Sequence, residues 1–252
     1  MKILRTLLTS IVVLLNNVSV SAYDFEVDGI YYNITSAKDL TVEVTRNGTY
    51  MNKEYVIPSS VVFERKAYIV SSIGSDAFKH SYNLKKITIP TTIIGIGESA
   101  FEGCENLKSV VIPKSVTSIG RFAFLGCRKL ASITIPDHVS IIEERTFSGC
   151  LNLKSVTIPN SVTRIEIYAF SGCVNLKSLT LGENIGIIRL FAFDECRVLE
   201  EITCYAKKPP LSDGMILLSK NRAKCKLRVP KGSLLTYKTA PVWKLFKKIE
   251  GF

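Results

Sequence analysis

The sequence contains few of the side chains that enzymes use for metal binding and proton transfer. Only two histidines, His80 and His138, occur in 252 residues. Neither has a cysteine or carboxylate at the spacing of a metal site or a catalytic triad. Phosphate-binding loops and nucleophile elbows are also absent. These absences argue against an enzyme, and the sequence predicts no catalytic residue, no metal site and no cofactor.

Long apolar runs are confined to the N-terminus. Lys2 and Arg5 precede the apolar run Leu7–Leu15, and Val20-Ser21-Ala22 supplies the small residues of a cleavage site. This pattern predicts a secretory signal over residues 1–22. Its apolar core, about ten residues, is shorter than the roughly 20 of a membrane span. The mature chain is therefore expected to be secreted, periplasmic or at the cell surface, with no membrane span and no nucleic-acid partner.

A 23-residue unit repeats six times without insertion. Three of its positions carry Ile119, Phe124 and Leu130, and the same residue types recur at every interval of 23. The phenylalanine column, for example, consists of Phe78, Phe101, Phe124, Phe147, Phe170 and Phe193. Self-similarity at a fixed period between 20 and 50 residues predicts a solenoid, in which each coil buries its apolar side chains against its neighbours.

Each copy predicts one strand and one turn. In Leu107, Val110 and Ile112 the apolar residues alternate with outward positions, and Pro113 then ends the strand. The Gly120–Cys127 segment is interpreted as a short helical turn across the other side. The predicted fold class is an α/β repeat solenoid over residues 71–204, with a parallel β-sheet on one side and short helical turns on the other.

The flanking segments are predicted to cover the open ends of this solenoid. Residues 23–70 indicate a β-rich cap, with one hairpin at Asp28-Gly29 and a looser one at Asn47-Gly48. Nine residues around Phe63–Tyr68 are extra relative to a repeat. Residues 205–252 indicate a mixed cap with a strand over 220–230 and a helix interrupted at Pro241. We expect one elongated, monomeric domain.

The pattern I-G-x-x-A-F-x-G-C-x-x-L-x-S-V-x-I-P resembles the BspA-like, Treponema-type leucine-rich repeat family. The resemblance covers Ile73 to about Cys204, and the opening and closing segments are similar to those of the family as well. It implies a secreted or surface protein, and some family members are adhesins for host matrix proteins. The function that the resemblance implies is a non-enzymatic binding or adhesion module for a protein or glycan. The alternatives are a structural scaffold without a specific ligand and an extracellular enzyme.

Seven cysteines in an exported chain raise the question of disulfides. Five of them share one repeat column, Cys104, Cys127, Cys150, Cys173 and Cys196, and are interpreted as buried thiols. For Cys204 and Cys225 the sequence allows two interpretations, with or without a disulfide between them. If Val229-Pro230 takes the place of an Ile-Pro pair, their sulfurs lie about 13 Å apart along the strand, which is too far for a bridge. A shifted register would allow one.

The positive charge is concentrated in the C-terminal cap. The whole chain carries a net charge of +11, and residues 205–252 contain 12 basic and 2 acidic residues. Alternation along the predicted strand places five cations on one face: Lys220, Arg222, Lys224, Lys226 and Arg228. Such a row attracts anions and predicts an acidic glycan or acidic protein patch as partner. The competing interpretation is protection of an exposed edge strand.

A second, weaker candidate is a row of lysines in one repeat phase. Its members are Lys85, Lys108, Lys154 and Lys177, and Ala131 and Glu200 complete the column. The competing interpretation is a solvated row without a ligand. The outward strand positions are mainly Ser and Thr, which suit a sheet surface and predict no ligand by themselves.

Overall fold

A computed structural model of the chain describes residues 23–48, 50–216 and 223–252. The predicted signal segment lies outside these residues, as do Lys220 and Arg222 of the basic row. In the described part of the chain, no helix combines the length and apolarity that crossing a membrane requires.

The N-terminal segment is built from six strands. They are β1 (Phe25–Val27), β2 (Ile30–Ser36), β3 (Thr41–Thr45), β4 (Glu54–Val56), β5 (Ser60–Phe63) and β6 (Lys66–Ile73). The predicted hairpin at Asp28-Gly29 is confirmed, because β1 pairs antiparallel with β2 and both turn residues have positive φ. The predicted hairpin at Asn47-Gly48 is wrong. Strand β3 pairs with β2 and β6, whereas β4 pairs parallel with the first repeat strand.

The extra residues around Phe63–Tyr68 form a hairpin that the sequence did not reveal. Strands β5 and β6 pair antiparallel, and Glu64 and Arg65 occupy the turn with φ of 48° and 63°. The end of β6 then joins the solenoid, because Ser72 and Ile73 pair in parallel with Gly95 and Ile96 of the second coil. This hairpin therefore connects the N-terminal strands to the repeats.

The repeats form a parallel β-solenoid. Its strands in chain order are β7 (Lys86–Thr88), β8 (Gly95–Ile96), β9 (Ser109–Val110), β10 (Ser118–Ile119), β11 (Ile141–Ile142), β12 (Ser155–Ile158), β13 (Arg164–Ile165), β14 (Ser178–Leu181), β15 (Ile187–Ile188) and β16 (Glu201–Cys204). The longer strands, such as β12 and β14, line one face, which we call the strand face. The strands β8, β10, β11, β13 and β15, of two residues each, form a second ladder after the proline turn, and the sequence did not predict it.

The G-x-x-A-F-x-G-C segment is not helical, which corrects the predicted helical turns. Two residues of each segment, for example Ser99 and Gly103, have φ in the left-handed region at 55° and 69°. These residues interrupt any α-helix after less than one turn. The backbone N–H of Phe101 instead donates to the carbonyl of Ala123 in the next coil at 2.7 Å. We call the repeated bonds of this kind the turn ladder.

The phenylalanine column forms the centre of the core. Neighbouring rings stack with centroids 5.1–5.5 Å apart and planes within 17° of each other. All six side chains are buried. The prediction that these rings stack in register is therefore confirmed.

The solenoid consists of two blocks that pack differently. In the first block, Gly74, Gly97 and Gly120 stack so closely that a Cβ on Gly120 would lie 2.6 Å from the backbone N of Glu98. Glu143 occupies the next position of this column and has a Cβ. Among the described residues, β10 pairs only with β8, and β11 pairs only with β13. The second ladder is thus interrupted between the third and fourth coils, at the point where the glycine column ends.

Other contacts still join the two blocks. The turn ladder continues across the junction, since Phe124 N–H donates to the Thr146 carbonyl at 2.8 Å. The buried Thr146 hydroxyl lies 3.3 Å from the Gly120 carbonyl and 2.9 Å from that of Glu143. On the strand face, residues 131–136 of the third coil adopt no strand, so that sheet is also divided.

Replacing Gly120 by Ala is expected to destabilise the first block. The added Cβ would meet backbone atoms at 2.6 and 2.7 Å, so one coil must shift. We expect a loss of about 1–3 kcal/mol in the free energy of unfolding, measured by chemical denaturation. Gly186→Ala is the matched control, because its Cβ would meet no atom closer than 3.6 Å. Equal stability of Gly120→Ala and the wild type would contradict the close packing of this column.

The C-terminal segment continues the sheet and then covers it. It contains β17 (Lys226–Val229), the helix α1 (Leu234–Thr239), β18 (Lys248–Gly251) and two short 3-10 turns, Lys231–Ser233 and Trp243–Leu245. Strand β17 pairs with β16 and β18, both in parallel. The indole N–H of Trp243 donates to the Pro210 carbonyl at 2.8 Å, and the Tyr237 hydroxyl donates to that of Ala206 at 2.9 Å. Both rings are buried, so they hold the connecting loop against the helix.

Candidate functional site

The lysine column runs along one edge of the strand face in two hydrogen-bonded parts. In the first part, Lys108 N–H donates to Lys85 O and Ala131 N–H donates to Lys108 O, both at 3.2 Å. In the second part, Lys177 N–H donates to Lys154 O and Glu200 N–H donates to Lys177 O, both at 2.9 Å. The Lys85 N–H donates to the Lys53 carbonyl at 2.7 Å, so Lys53 extends the column by one coil. Sequence reasoning missed Lys53 because it precedes the repeats.

The four predicted lysines of this column are exposed and carry no intramolecular ion pair within the described ranges. Many other cations are paired. Arg121 contacts Glu144 at 2.7 Å, and Lys79 contacts Asp76 at 3.0 Å. An unpaired ammonium row beside a face of serines and threonines leaves positive charge available to an external anion.

The basic row of the C-terminal cap differs from its predicted form. The strand is limited to Lys226–Val229, because residues 223 and 224 lie in a turn. Lys224 is exposed in that turn, while Lys226 and Arg228 point outward from the strand and Leu227 and Val229 are buried. The row is therefore not one extended strand of five cations, although the inward and outward alternation over Lys226–Val229 is confirmed.

Two cations of this row have carboxylate neighbours. Lys226 lies 3.5 Å from Glu250, and Arg228 lies 3.9 Å from Glu201. The Arg228 guanidinium also lies over the Phe252 ring, 5.6 Å from its centroid. Moreover, β18 lies beside β17, so β17 is not an edge and the predicted edge-protecting role is wrong for it. Lys224 remains the exposed cation of the described part of this row.

A cavity of about 650 Å³ lies where the last repeat meets the C-terminal cap. Its lining includes Tyr205, Lys207, Lys208, Leu211 and Glu183. The loop that forms it is fixed, because the carbonyls of Ala206 and Lys208 accept hydrogen bonds from the Tyr237 hydroxyl. The sequence did not reveal this concave surface, because it depends on the position of Tyr237 in α1.

The cysteines are buried thiols, as predicted. Each thiol of the repeat column donates to a phenylalanine carbonyl of the preceding coil, for example Cys104 Sγ to Phe78 O at 3.0 Å and Cys127 Sγ to Phe101 O at 3.2 Å. Burial raises the pKa of the Cys104 and Cys150 thiols to about 12. A thiol that is protonated and buried is a poor nucleophile. The column therefore serves packing rather than chemistry.

No disulfide joins Cys204 and Cys225. The register pairs Ile202 with Leu227 and Thr203 with Arg228, which places Val229 opposite Cys204, as the sequence suggested. Both sulfurs are thiols and both are buried. Cys204 Sγ instead lies 3.2 Å from the Tyr237 hydroxyl.

The two histidines occupy different environments. His80 replaces the repeat glycine, has φ of 58°, and stacks on Tyr82 with centroids 5.6 Å apart. His138 is exposed in a turn. The described residues contain no group of three or more His, Cys, Asp or Glu side chains arranged to hold a metal ion.

Comparison with known proteins identifies the repeats. Residues 71–200 match the BspA type leucine-rich repeat region in six copies. A leucine-rich repeat protein from Bacteroides ovatus ATCC 8483 is 31% identical with a TM-score of 0.63, and the alignment covers 91% of this chain and 67% of that chain. The T. pallidum leucine-rich repeat protein is 27% identical with a TM-score of 0.62, covering 77% and 85%. No curated protein gives a significant match.

These matches agree with the geometry described above. The six matched copies correspond to the 23-residue coils, and the match spans more than half of the chain. The resemblance found in the sequence is thereby confirmed. The protein belongs to the BspA-type leucine-rich repeat family.

Proposed function

We propose that this protein is a non-enzymatic binding module that acts outside the cell or at its surface and recognises an acidic protein or glycan. The observation that carries the proposal is the row of exposed lysines without carboxylate partners along the strand face. Residues 71–204 supply the binding scaffold, and residues 23–70 and 205–252 cover its ends. The predicted signal over residues 1–22 supports export.

A panel experiment tests the binding role directly. The chain from Tyr23 to Phe252 would be immobilised and exposed to extracellular matrix proteins, acidic polysaccharides and neutral polysaccharides at low and physiological salt. We expect binding to at least one acidic member and a steep loss as salt rises, because exposed charges are screened within about 8 Å at physiological ionic strength. Absence of binding across the panel would overturn the proposal and favour a structural scaffold without a ligand.

The contribution of the basic C-terminal row is tested by heparin-affinity elution. The triple variant Arg222→Ser, Lys224→Ser and Lys226→Ser is expected to elute at lower salt than the wild type, because it loses three cations of the most basic segment. The matched control is Lys38→Ser, Arg65→Ser and Lys66→Ser, which removes the same charge from exposed positions of the N-terminal segment. Equal shifts for both triples would show that net charge, and not this row, governs retention.

A further inference from the structure

A cavity of about 400 Å³ lies on the lysine column, where Ala131 replaces a lysine. Its lining consists of Ala131, Asn152, Lys154, Asn175 and Lys177, contributed by three successive coils. In the second and fourth coils the corresponding positions carry Lys108 and Lys154. The short Ala131 side chain therefore leaves a depression between the ammonium groups of the column.

The backbone also departs from the regular sheet at this place. Residues 131–136 adopt no strand, and the strand face divides into one sheet that ends at β9 and another that begins at β12. Asn175 Nδ2 donates to the Leu151 carbonyl at 2.9 Å, and Asn106 Nδ2 donates to the Tyr82 carbonyl at 2.6 Å. In the fourth coil, the Arg128 carbonyl instead accepts from the backbone N–H of Asn152, at 3.1 Å. The side-chain hydrogen bonds of the described residues include those of Asn106 and Asn175 but none of Asn152, whose exposed amide can therefore contact a ligand.

The lining has the chemistry of a site for an anionic, hydroxylated ligand. Lys154 and Lys177 stand at equivalent positions of adjacent coils, whose backbones are about 4.8 Å apart, so both ammonium groups can reach one anionic group. The Asn152 amide supplies both a donor and an acceptor, and the Asn175 oxygen supplies an acceptor, for neighbouring hydroxyls. No carboxylate lines the cavity. Arginine and aromatic side chains, which anchor most protein interfaces, do not line it either.

We propose that the cavity formed by Ala131, Asn152, Lys154, Asn175 and Lys177 binds an acidic sugar residue, carboxylated or sulfated, of an extracellular polysaccharide. The two ammonium groups hold the acidic group, the two amides hold adjacent hydroxyls, and the Ala131 methyl contacts the C–H face of the ring. This assignment rests on the proposed binding function and specifies where the ligand lies. An acidic peptide is the alternative ligand that the test must separate.

The first test uses charge removal at two places in the same column. Binding of the chain from Tyr23 to Phe252 to hyaluronan, dextran sulfate, neutral dextran and poly-glutamate would be measured by biolayer interferometry. We expect Lys154→Ser with Lys177→Ser to weaken binding to an acidic polysaccharide by about tenfold or more, since each lost charged hydrogen bond contributes about a factor of ten. The matched control, Lys85→Ser with Lys108→Ser, removes the same charge from the column outside the cavity and should weaken binding clearly less than the cavity pair does.

The second test fills the cavity without changing charge. Ala131→Leu should reduce binding to the same extent as the lysine pair, whereas Ser109→Leu, at an exposed position outside the cavity, should leave it unchanged. Thermal unfolding of each variant checks that the fold is kept. Preference for hyaluronan or for dextran sulfate tells whether the bound group is a carboxylate or a sulfate.

Several outcomes would overturn the inference and leave the proposed function intact. The first is an equal loss of polysaccharide affinity in the two lysine double variants, and the second is wild-type affinity in Ala131→Leu. The third is tighter binding to poly-glutamate than to either acidic polysaccharide. The fourth is binding to a protein of the panel while no polysaccharide binds. Failure of the wild type to bind any member of either panel would overturn the proposed function itself. The two failures are therefore distinguishable.

Discussion

Replacing Phe124 by Ala is expected to lower the free energy of unfolding by about 3–5 kcal/mol. The Phe124 ring is fully buried and stacks on Phe101 at 5.1 Å and on Phe147 at 5.5 Å. Removing the ring leaves a cavity in the middle of the column. The neighbouring coils keep their spacing, so the remaining phenylalanine rings cannot move in to fill the cavity. Chemical denaturation monitored by circular dichroism measures the change.

The surrounding residues supply a graded comparison for this substitution. Phe124→Leu keeps most of the apolar volume and should cost less than Phe124→Ala. Thr134→Ala, in the same copy, changes an exposed outward side chain and should alter stability by less than about 0.5 kcal/mol. A loss below about 1 kcal/mol for Phe124→Ala would contradict the stacked core.

The second large effect is expected at alkaline pH. Burial raises the pKa of all seven cysteine thiols, to about 12 for Cys104, Cys150 and Cys225. In the unfolded chain a thiol ionises at about pH 8.5. Because the folded pKa is higher, the stabilisation is complete below about pH 8.5 and is lost as the pH rises towards about 12.

We therefore expect the free energy of unfolding to fall by about 1.4 kcal/mol per pH unit for each thiol that ionises only in the unfolded chain. Buried tyrosines act in the same direction, since burial raises the pKa of Tyr32 and Tyr50. Denaturant titrations between pH 7.5 and 10.5 in the presence of a phosphine reductant measure the slope. The double variant Cys150→Ala with Cys173→Ala should have a smaller slope of unfolding free energy against pH, because the contribution of two thiols is removed. A flat profile, or rapid reaction of the native thiols with Ellman's reagent, would contradict the buried column.

The core and the repeat were predictable because their signal is periodic. A phenylalanine every 23 residues can be buried in register only if the coils stack. Phe124 and its equivalents were therefore enough to predict the solenoid. The turn conformation was not predictable in the same way. Ser99 and Phe122 adopt positive φ although neither residue type favours it, because the ladder to the next coil fixes their backbone.

The candidate sites depended on contacts that local sequence does not contain. The alternation along Lys226–Val229 was visible, but the ion pairs of Lys226 with Glu250 and Arg228 with Glu201 depend on strand pairing. The gap at Ala131 was likewise visible in the lysine column. The depth of the cavity at Ala131 could not be predicted, because Asn152 and Asn175 of two later coils also line it.

The substitution of Glu143 into the glycine column has a consequence for how the molecule folds. In a linear array, each coil is stabilised mainly by its two neighbours, and cooperativity depends on the weakest interface between them. Among the described residues, neither strand ladder continues between the third and fourth coils, so the turn ladder and the Thr146 hydroxyl supply the hydrogen bonds there. We therefore expect the boundary between cooperative folding units to lie inside the six-copy array rather than at either of its ends.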